Sequence, residues 1–261
     1  CIIAAREGSK RIKNKNIISF FGKPLISYPI RIAIQSKLFK KVVVSTDSFK
    51  IAKIAKKYGA EAPFLRKKKL SDDKTGLKEV IKDTIKNIDS KNEKYHFYIY
   101  ATAALLNKND LIKAFKKIKK LNYDYLISVK KFESNPLRAF KIKNNNLKFN
   151  WSKFAKKNTQ KLKNLYSDSA SFFIFRTKCI FKKNILPNKT TFYEQYRNNA
   201  LDIDYPEDLK FIEASFDALY EEGKVFSLSE ILATLAVKKI ILTPCDFLMS
   251  GKSFFTNRIG P

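Results

Sequence analysis

Histidine, cysteine and glycine are scarce in this sequence, and each scarcity excludes a class of protein. The 261 residues include 1 His, 3 Cys and 7 Gly. The single histidine, His96, excludes a metal site built from several histidines, and its place inside a strand pattern favours a structural role. Cys1, Cys179 and Cys245 are far apart and odd in number, so they match neither a disulfide framework nor a zinc-binding spacing. We therefore expect a protein of the reducing cytoplasm.

Long apolar runs are missing as well. No stretch is long and apolar enough for a transmembrane helix, and the CIIAA run at residues 1–5 is too short for the core of a signal peptide. We expect no association with a membrane. Hydrophobic residues nevertheless make up 44% of the chain, which is enough for the core of one large α/β domain with a small appendage.

Positive charge, in contrast, is abundant. The chain has 53 Lys and Arg against 24 Asp and Glu, a net charge of +29, which could attract nucleic acid or another polyanion. The lysines, however, alternate with Ile, Ala and Leu at helical spacing in 49–59 and 111–121, as on solvent-facing helix surfaces. Aromatic side chains are not interleaved with them as in a groove for single strands. We favour biased composition, and a basic nucleic-acid-binding protein is the alternative from another class.

Strand and helix patterns alternate along the first half of the chain. VVVST (42–46) is typical of a buried parallel strand, a helical pattern covers 49–58, and strand patterns return at 96–103 and 125–132. This alternation predicts a mainly parallel, doubly wound α/β sheet with helices on both faces. We also expect a helix over 24–37 with Pro24 in its first turn.

The second half is less regular. We predict Asn109 or Asp110 as the cap of the helix over 111–121. FKIKNNNLKFNW (140–151) predicts a hairpin that turns at the asparagines. It lies in an insertion over about 133–170, which could be a dimerisation element, within a domain that we place at 1–222. A final helix follows at 206–222, and residues 223–261 form a C-terminal tail of different texture.

The opening stretch CIIAAREGSKRIKNKN, residues 1–16, combines a short strand with a donor-rich loop. Ligands of doubly wound sheets bind at the carboxyl ends of strands, so this position favours phosphate binding by backbone N–H groups around Gly8 and Ser9. The loop is neither a Walker A sequence nor GxGxxG. A solvated basic loop is the alternative interpretation. The cations available are Arg6, Lys10, Arg11 and Lys15.

LDIDYPED, residues 201–208, offers paired carboxylates. Asp202 and Asp204 are two residues apart, so on a strand both side chains lie on the same face. Mg²⁺ commonly takes one or two protein carboxylates together with substrate phosphates. The alternative is a helix N-terminus enriched in acids, which explains Glu207 and Asp208 better than Asp202.

Taken together in order, the motifs resemble those of the CMP-sialic acid synthetase family of cytidylyltransferases. AREGSKRIKNKN is similar to that family's ARGGSKRIxxKN signature, and the resemblance covers roughly residues 1–220. The combination of APFLR, LSDDKTG and IYATA resembles the family's pseudaminic acid branch. The further matching motifs are VVVSTD (42–47), APFLRKKKLSDDKTG (62–76), YIYATA (98–103), NPLRAF (135–140) and LDIDYPEDL (201–209).

The resemblance implies a Rossmann-like nucleotide-diphospho-sugar transferase fold and a reaction. CMP would pass from CTP to the anomeric hydroxyl of an acidic nine-carbon sugar, pseudaminic acid, with release of pyrophosphate. Sialic, legionaminic and 3-deoxy-octulosonic acids are alternative acceptors. The resemblance further implies Mg²⁺ as the cofactor, and we expect a homodimer.

Carried over motif by motif, the resemblance also implies site residues. Those for CTP are Arg6, Gly8, Ser9, Lys15, Asn16, Arg66 and Thr75. Those near the sugar acid are Tyr100, Thr102, Arg138, Gln160 and Tyr166. Asp202 and Asp204 would bind Mg²⁺. In catalysis, Arg6 and Lys15 would stabilise the leaving pyrophosphate, and Asp202 or a metal-bound water would take the hydroxyl proton.

Several positions depart from the family pattern. Glu7 is the most serious departure, because it replaces a glycine and brings a carboxylate to the predicted phosphate-binding loop. Ala170 also stands where the family has glycine. The remaining departures are Ala4 and Ala104 in place of prolines and Lys161 in place of an aspartate.

Overall fold

The secondary structure alternates as the sequence predicts. The computed structural model describes residues 1–182, 187–196 and 203–221. The strands are β1 (Ile2–Ala4), β2 (Ser19–Phe20), β3 (Lys23–Pro24), β4 (Val43–Ser45), β5 (Tyr95–Tyr100), β6 (Tyr125–Lys131), β7 (Phe140–Lys143), β8 (Asn146–Phe149), β9 (Tyr166–Arg176) and β10 (Thr190–Glu194). The helices are α1 (Ser27–Gln35), α2 (Phe49–Lys57), α3 (Leu77–Asn87), α4 (Lys108–Leu121), α5 (Thr177–Ile180) and α6 (Pro206–Glu221).

A six-stranded sheet forms the centre, in the order β10-β6-β9-β5-β1-β4. β1 pairs in parallel with β4 and β5, and β10 pairs in parallel with β6. β9 is the exception, because it runs antiparallel between β5 and β6. The prediction of a mainly parallel sheet is therefore confirmed. The carboxyl ends of β1, β4 and β5 meet at one edge, where ligands of such sheets bind.

Alternating strand residues point to opposite faces of the sheet, and each face is covered by helices. Ile3, Ile99 and Ile174 belong to a core cluster with apolar residues of α1, α2 and α4. Their neighbours Ile2 and Tyr98 belong to a second cluster with residues of α3 and α5. Helices on both faces, as predicted, bury the sheet from both sides.

A third apolar cluster fixes the opening loop relative to the last helix. Ile12, Phe20 and Tyr28 from the start of the chain pack with Ile212 and Phe216 of α6. The rings of Phe20 and Phe216 meet edge to face at 5.2 Å between centroids. This packing brings the start of α6, and the motif just before it, to the carboxyl edge of the sheet.

The hairpin prediction is confirmed, with β7 and β8 pairing in a sheet of their own. Asn144 and Asn145 form the turn with φ of 49° and 59°, a left-handed backbone that asparagine tolerates better than most residues. Phe140 and Phe149 face each other across the hairpin, with ring centroids 4.4 Å apart.

Two local predictions were wrong. Pro24 lies in β3, paired with Ser19, and α1 begins at Ser27. The cap of α4 is Asn107, whose side-chain oxygen accepts a hydrogen bond from the backbone N–H of Asn109 at 2.8 Å. The helix therefore begins two residues earlier than the predicted caps, Asn109 and Asp110, would allow. The predicted tail at 223–261 lies outside the described residues.

Candidate active site

A cavity of about 680 Å³ opens at the carboxyl ends of β1, β4 and β5. It receives residues from four separate sequence motifs. Site residues predicted from the sequence that line it are Arg6, Ser9, Lys15, Asn16, Arg66, Thr75, Tyr100, Thr102 and Asp204. The fold therefore gathers motifs that are far apart in the sequence around one space.

The opening loop is held in a defined conformation. The buried side chain of Asn16 donates a hydrogen bond from Nδ2 to the backbone oxygen of Arg6 at 2.9 Å. The backbone N–H of Glu7 donates to Oδ1 of Asp47, which follows β4, at 3.1 Å. These two contacts tie the loop to itself and to the neighbouring strand. The side chain of Glu7 is exposed and is not among the described residues that line the cavity.

Arg66 is buried in the wall of the cavity, with 5% of its surface exposed. Its backbone N–H donates to the oxygen of Thr46 at 2.7 Å, which extends the hydrogen bonding of the sheet beyond β4. Its guanidinium donates from Nη1 to the oxygen of Ser45 at 3.2 Å and from Nε to Oγ of Ser71 at 3.0 Å. Burial lowers the pKa of Arg66, and the charge of Asp47 partly opposes this effect.

Asp204 joins the opening loop through its carboxylate. Arg11 Nη1 lies 3.1 Å from Oδ2 of Asp204, and Lys15 Nζ lies 3.4 Å from Oδ1. Lys15 also donates to the backbone oxygen of Ile203 at 2.6 Å. The turn before α6 is fixed by Asp208, whose Oδ2 accepts from the backbone N–H groups of Asp204 and Tyr205, both at 2.7 Å. Asp208 thus acts at the helix start, as expected.

Other predicted site residues lie elsewhere in the described chain. Arg138 lines a separate cavity of about 720 Å³ with lysines of the insertion, and its Nη1 donates to Oγ1 of Thr159 at 3.0 Å. Gln160, Tyr166 and Gly8 are not among the described residues that line the first cavity. A Cβ added to Gly8 would meet nothing within 4 Å, so a tight fit does not require glycine there. Asp202 lies outside the described residues.

The sequence reasoning missed several residues of the cavity. Asp73 lies in the quoted LSDDKTG motif, but it was given no role. Its carboxylate forms ion pairs with Arg6 and Lys10, and hydrogen bonds from Lys10 and Arg6 hold its pKa below the usual range. Its sequence signal was the pair of adjacent acids in a loop. The other unassigned lining residues include an apolar group near Arg66 and Thr75: Leu70, Leu77, Val80 and Tyr98.

A parallel sheet with a cation-lined cavity at its carboxyl edge is the architecture of an α/β nucleotide-binding protein. The profile of the family described as Cytidylyltransferase matches residues 1–233. The chain belongs to the cytidylyltransferase family.

Curated relatives place it more narrowly. Pseudaminic acid cytidylyltransferase of Campylobacter jejuni serotype O:2 is 39% identical over 228 residues, which cover 85% of this chain and 98% of that protein. A Helicobacter pylori protein that combines pseudaminic acid cytidylyltransferase with a hydrolase is 39% identical over 66% of this chain and 34% of its own length. N-acylneuraminate cytidylyltransferase of Escherichia coli is 30% identical over 78% of this chain and 48% of that protein.

Solved structures agree on the fold. CMP:2-keto-3-deoxy-manno-octonic acid synthetase in complex with CTP superimposes with a TM-score of 0.62 at 14% identity, covering 85% of this chain and 98% of that one. A cytidylyltransferase of Leptospira borgpetersenii gives a TM-score of 0.56 at 17% identity, covering 100% of this chain and 97% of that one. The predicted nucleotide-diphospho-sugar transferase fold is confirmed.

Proposed function

We propose that this enzyme transfers CMP from CTP to the anomeric hydroxyl of pseudaminic acid and releases pyrophosphate. The observation that supports this most is the convergence of Arg6, Lys15, Arg66 and Asp204 on one cavity, in a chain 39% identical to pseudaminic acid cytidylyltransferase over 85% of its length. In this reaction the hydroxyl oxygen forms a bond to the α-phosphorus, and the bond from that phosphorus to the bridging β-phosphate oxygen breaks.

The cations of the opening loop would bind the triphosphate. Arg6, Lys10, Arg11 and Lys15 all line the cavity with Ser9. Phosphoryl and nucleotidyl transfer depend mainly on positioning and on neutralising phosphate charge. Arg6 and Lys15 can neutralise the charge that develops on the leaving pyrophosphate. The amide of Asn16 donates to the backbone oxygen of Arg6, and we propose that Asn16, which also lines the cavity, shapes the loop for CTP.

The cytosine would lie at the side of the cavity formed by Arg66, Thr75 and the apolar residues beside them. Leu77, Val80 and Tyr98 contribute apolar side chains to the lining of the cavity. Arg66 supplies a buried donor whose position is fixed by Ser45 and Ser71. A fixed donor at the edge of a pyrimidine discriminates between bases because a mismatched base leaves it unpaired.

Asp204 is suited to hold Mg²⁺. Within residues 1–182, 187–196 and 203–221 no group of three or more His, Cys, Asp or Glu gathers as a metal site. Mg²⁺ does not require one, since it commonly takes one or two carboxylates and completes its shell with water and phosphate oxygens. Asp204 lines the same cavity as the phosphate-binding cations, and its hard carboxylate oxygens pair there with two of them, Arg11 and Lys15. When bound, Mg²⁺ would polarise the phosphate, and we propose Asp202 as the second ligand and as a candidate base for the hydroxyl proton.

The acceptor would bind beside Tyr100, the last residue of β5, and Thr102, which follows the strand; both line the cavity. Arg138, Gln160 and Tyr166 do not line this space, and we propose that the insertion supplies them to a second copy of the chain. The exposed apolar face of the hairpin supports such a dimer: Phe140, Ile142 and Leu147 are 52%, 75% and 61% exposed.

Within the described ranges no helix is long and apolar enough to span a bilayer. We place the reaction in the cytoplasm, where CTP is made.

The rival proposal is a nucleic-acid-binding protein. The net charge of +29 favours it, but the cations of the opening loop converge on one cavity of about 680 Å³. A bounded cavity suits a small anion such as a triphosphate better than an extended polynucleotide backbone. One experiment separates the proposals: the protein is incubated with CTP, Mg²⁺ and a panel of sugar acids, and pyrophosphate is measured. We expect fastest release with pseudaminic acid; no release with any acid of the panel would contradict the proposed function.

A further inference from the structure

Asp73 bridges two cations of the opening loop among the residues that line the cavity. Its Oδ1 lies 2.6 Å from Nη2 of Arg6, and its Oδ2 pairs with the ammonium group of Lys10. Each carboxylate oxygen therefore engages a different cation. Both cations line the cavity, as does Asp73 itself. The carboxylate thus takes up the two positive charges that, in the proposed function, belong to the triphosphate.

The segment that presents Asp73 is held by hydrogen bonds within itself. Oδ1 of Asp72 accepts from the backbone N–H groups of Lys74 and Thr75 at 3.1 and 2.7 Å. Oγ1 of Thr75 donates to the backbone oxygen of Lys69 at 2.9 Å. This turn fixes the backbone on both sides of Asp73, so the position of its carboxylate follows from the fold of the segment.

The two ion pairs are strong enough to form and weak enough to be displaced. The side chains of Arg6 and Asp73 are 34% and 41% exposed, and that of Lys10 is 79% exposed. Ion pairs that solvent reaches contribute little free energy. A triphosphate or pyrophosphate carries several charges and forms charge-assisted hydrogen bonds with the same donors, so it can replace a single carboxylate.

We propose that Asp73 is an internal competitor for the phosphate-binding cations. It holds Arg6 and Lys10 in the free enzyme, is displaced when CTP binds, and pairs with them again as pyrophosphate leaves. It therefore lowers the affinity for pyrophosphate and promotes release of this product. This inference rests on the proposed triphosphate site. It assigns Asp73 a role in binding and release, with no bond made or broken by its carboxylate.

The test uses Asp73→Asn, which removes the charge and keeps the shape of an exposed side chain. The matched control is Asp89→Asn, the same change at an exposed position outside the cavity, where φ of 47° suits asparagine. Binding of inorganic pyrophosphate, CTP and cytidine is measured by calorimetry at low and high salt. We expect Asp73→Asn to tighten binding of pyrophosphate and CTP by about 1.5- to 5-fold at low salt, the range of exposed ion pairs. High salt should reduce the gain, and cytidine binding and the control should not change.

Unchanged or weaker pyrophosphate binding in Asp73→Asn would overturn the inference, because a competitor cannot be removed without a gain in affinity. Arg6→Ala distinguishes this failure from a failure of the proposed site. If Arg6→Ala weakens pyrophosphate binding while Asp73→Asn does not tighten it, the phosphate site stands and the role of Asp73 is wrong. If Arg6→Ala has no effect on pyrophosphate binding, both proposals are wrong.

Discussion

The ammonium group of Lys15 lies 3.4 Å from Oδ1 of Asp204, although 189 residues separate the two in the chain. The motif predicted to bind phosphate and the motif predicted to bind metal are therefore joined by an ion pair. The contact exists because α6 packs on the start of the chain and brings Asp204 to the opening loop. A variant of each of the two residues tests its proposed role.

Asp204→Asn should reduce turnover by about 100-fold or more, because loss of a preorganised electrostatic contact to the reacting groups costs rate on that scale. The backbone should be unaffected, since the N–H of Asp204 donates to Asp208 and not to its own side chain. Pyrophosphate release is measured against Mg²⁺ concentration, with thermal unfolding as the check on folding. Near-normal release at low Mg²⁺ would contradict the assignment of Asp204 to the metal.

Ala170→Gly should stabilise the fold by up to about 1 kcal/mol, because a left-handed alanine costs more than the extra freedom of glycine in the unfolded chain. Ala170 has φ of 52°, and its backbone N–H donates to Oδ1 of Asp168 at 2.8 Å, which holds it there. The measurement is urea unfolding. Ala155→Gly is the matched control, since its φ of −55° and ψ of −42° are helical and glycine should destabilise that site. A loss of stability in Ala170→Gly would contradict the prediction.

Ala170 also shows how far the sequence could be read. Its departure from the family's glycine marks a special backbone position before any coordinates are known, and the positive φ agrees. The parallel strands were equally legible, since VVVST and HFYIYATA are β-rich apolar runs between helical patterns. β10 was not predicted, because a five-residue edge strand with exposed positions has no clear apolar pattern.

The contacts of the site were harder to predict from the sequence than the fold was. The turn around Asp72 and Thr75 determines which acid of the LSDD motif pairs with the opening loop. The two segments are distant in the chain, so their contact produces no residue spacing that could be recognised in the sequence. Asn16 could be placed in the site from the motif, but its bond to the backbone of Arg6 could not. Arg138 illustrates the opposite limit, because its motif matches while the fold of one chain puts it outside the cavity.

His96 should make stability depend on pH. Burial lowers its pKa to about 4, against 6.5 for the free side chain. Between these values the unfolded chain binds the extra proton and the folded one does not. Stability is therefore fully present above pH 6.5 and is lost as pH falls towards 4, by up to about 3 kcal/mol.

The variant His96→Gln removes this proton while retaining polar contacts to Ser90 and Thr177, which lie 3.0 and 2.9 Å from the ring nitrogens. Urea unfolding of both proteins at pH 7, 5.5 and 4.5 gives the comparison. The difference between wild type and variant should shrink or reverse as pH falls. Carboxylates titrate equally in both proteins, so parallel curves would mean that His96 contributes nothing to the pH dependence.

Ile142→Ser should weaken the proposed dimer by about 10-fold or more. Burial of one aliphatic side chain in an interface contributes about 1.5–3 kcal/mol, and the variant loses this contribution. Ile142 pairs with Leu147 across the hairpin, and both are exposed in the single chain. Lys141→Ser, on the opposite face of the same strand, is the control. Sedimentation velocity over a range of protein concentrations measures the effect. A monomeric wild type, or equal effects of the two variants, would remove the hairpin from any interface.

Lys15→Ala should weaken CTP binding by about 10- to 100-fold, because it removes a charge-assisted hydrogen bond of about 1.5–3 kcal/mol. Lys13→Ala is the matched control, since Lys13 belongs to the same loop but is exposed and does not line the cavity.

Glu7→Gly should change CTP affinity less than about twofold, despite the family's glycine, because solvent screens an exposed carboxylate that lies outside the cavity lining. Titration with CTP and with a random oligonucleotide, at low and high salt, measures all three variants. If Lys13→Ala and Lys15→Ala weaken oligonucleotide binding alike and leave CTP binding unchanged, the loop is a basic arm and not a triphosphate site.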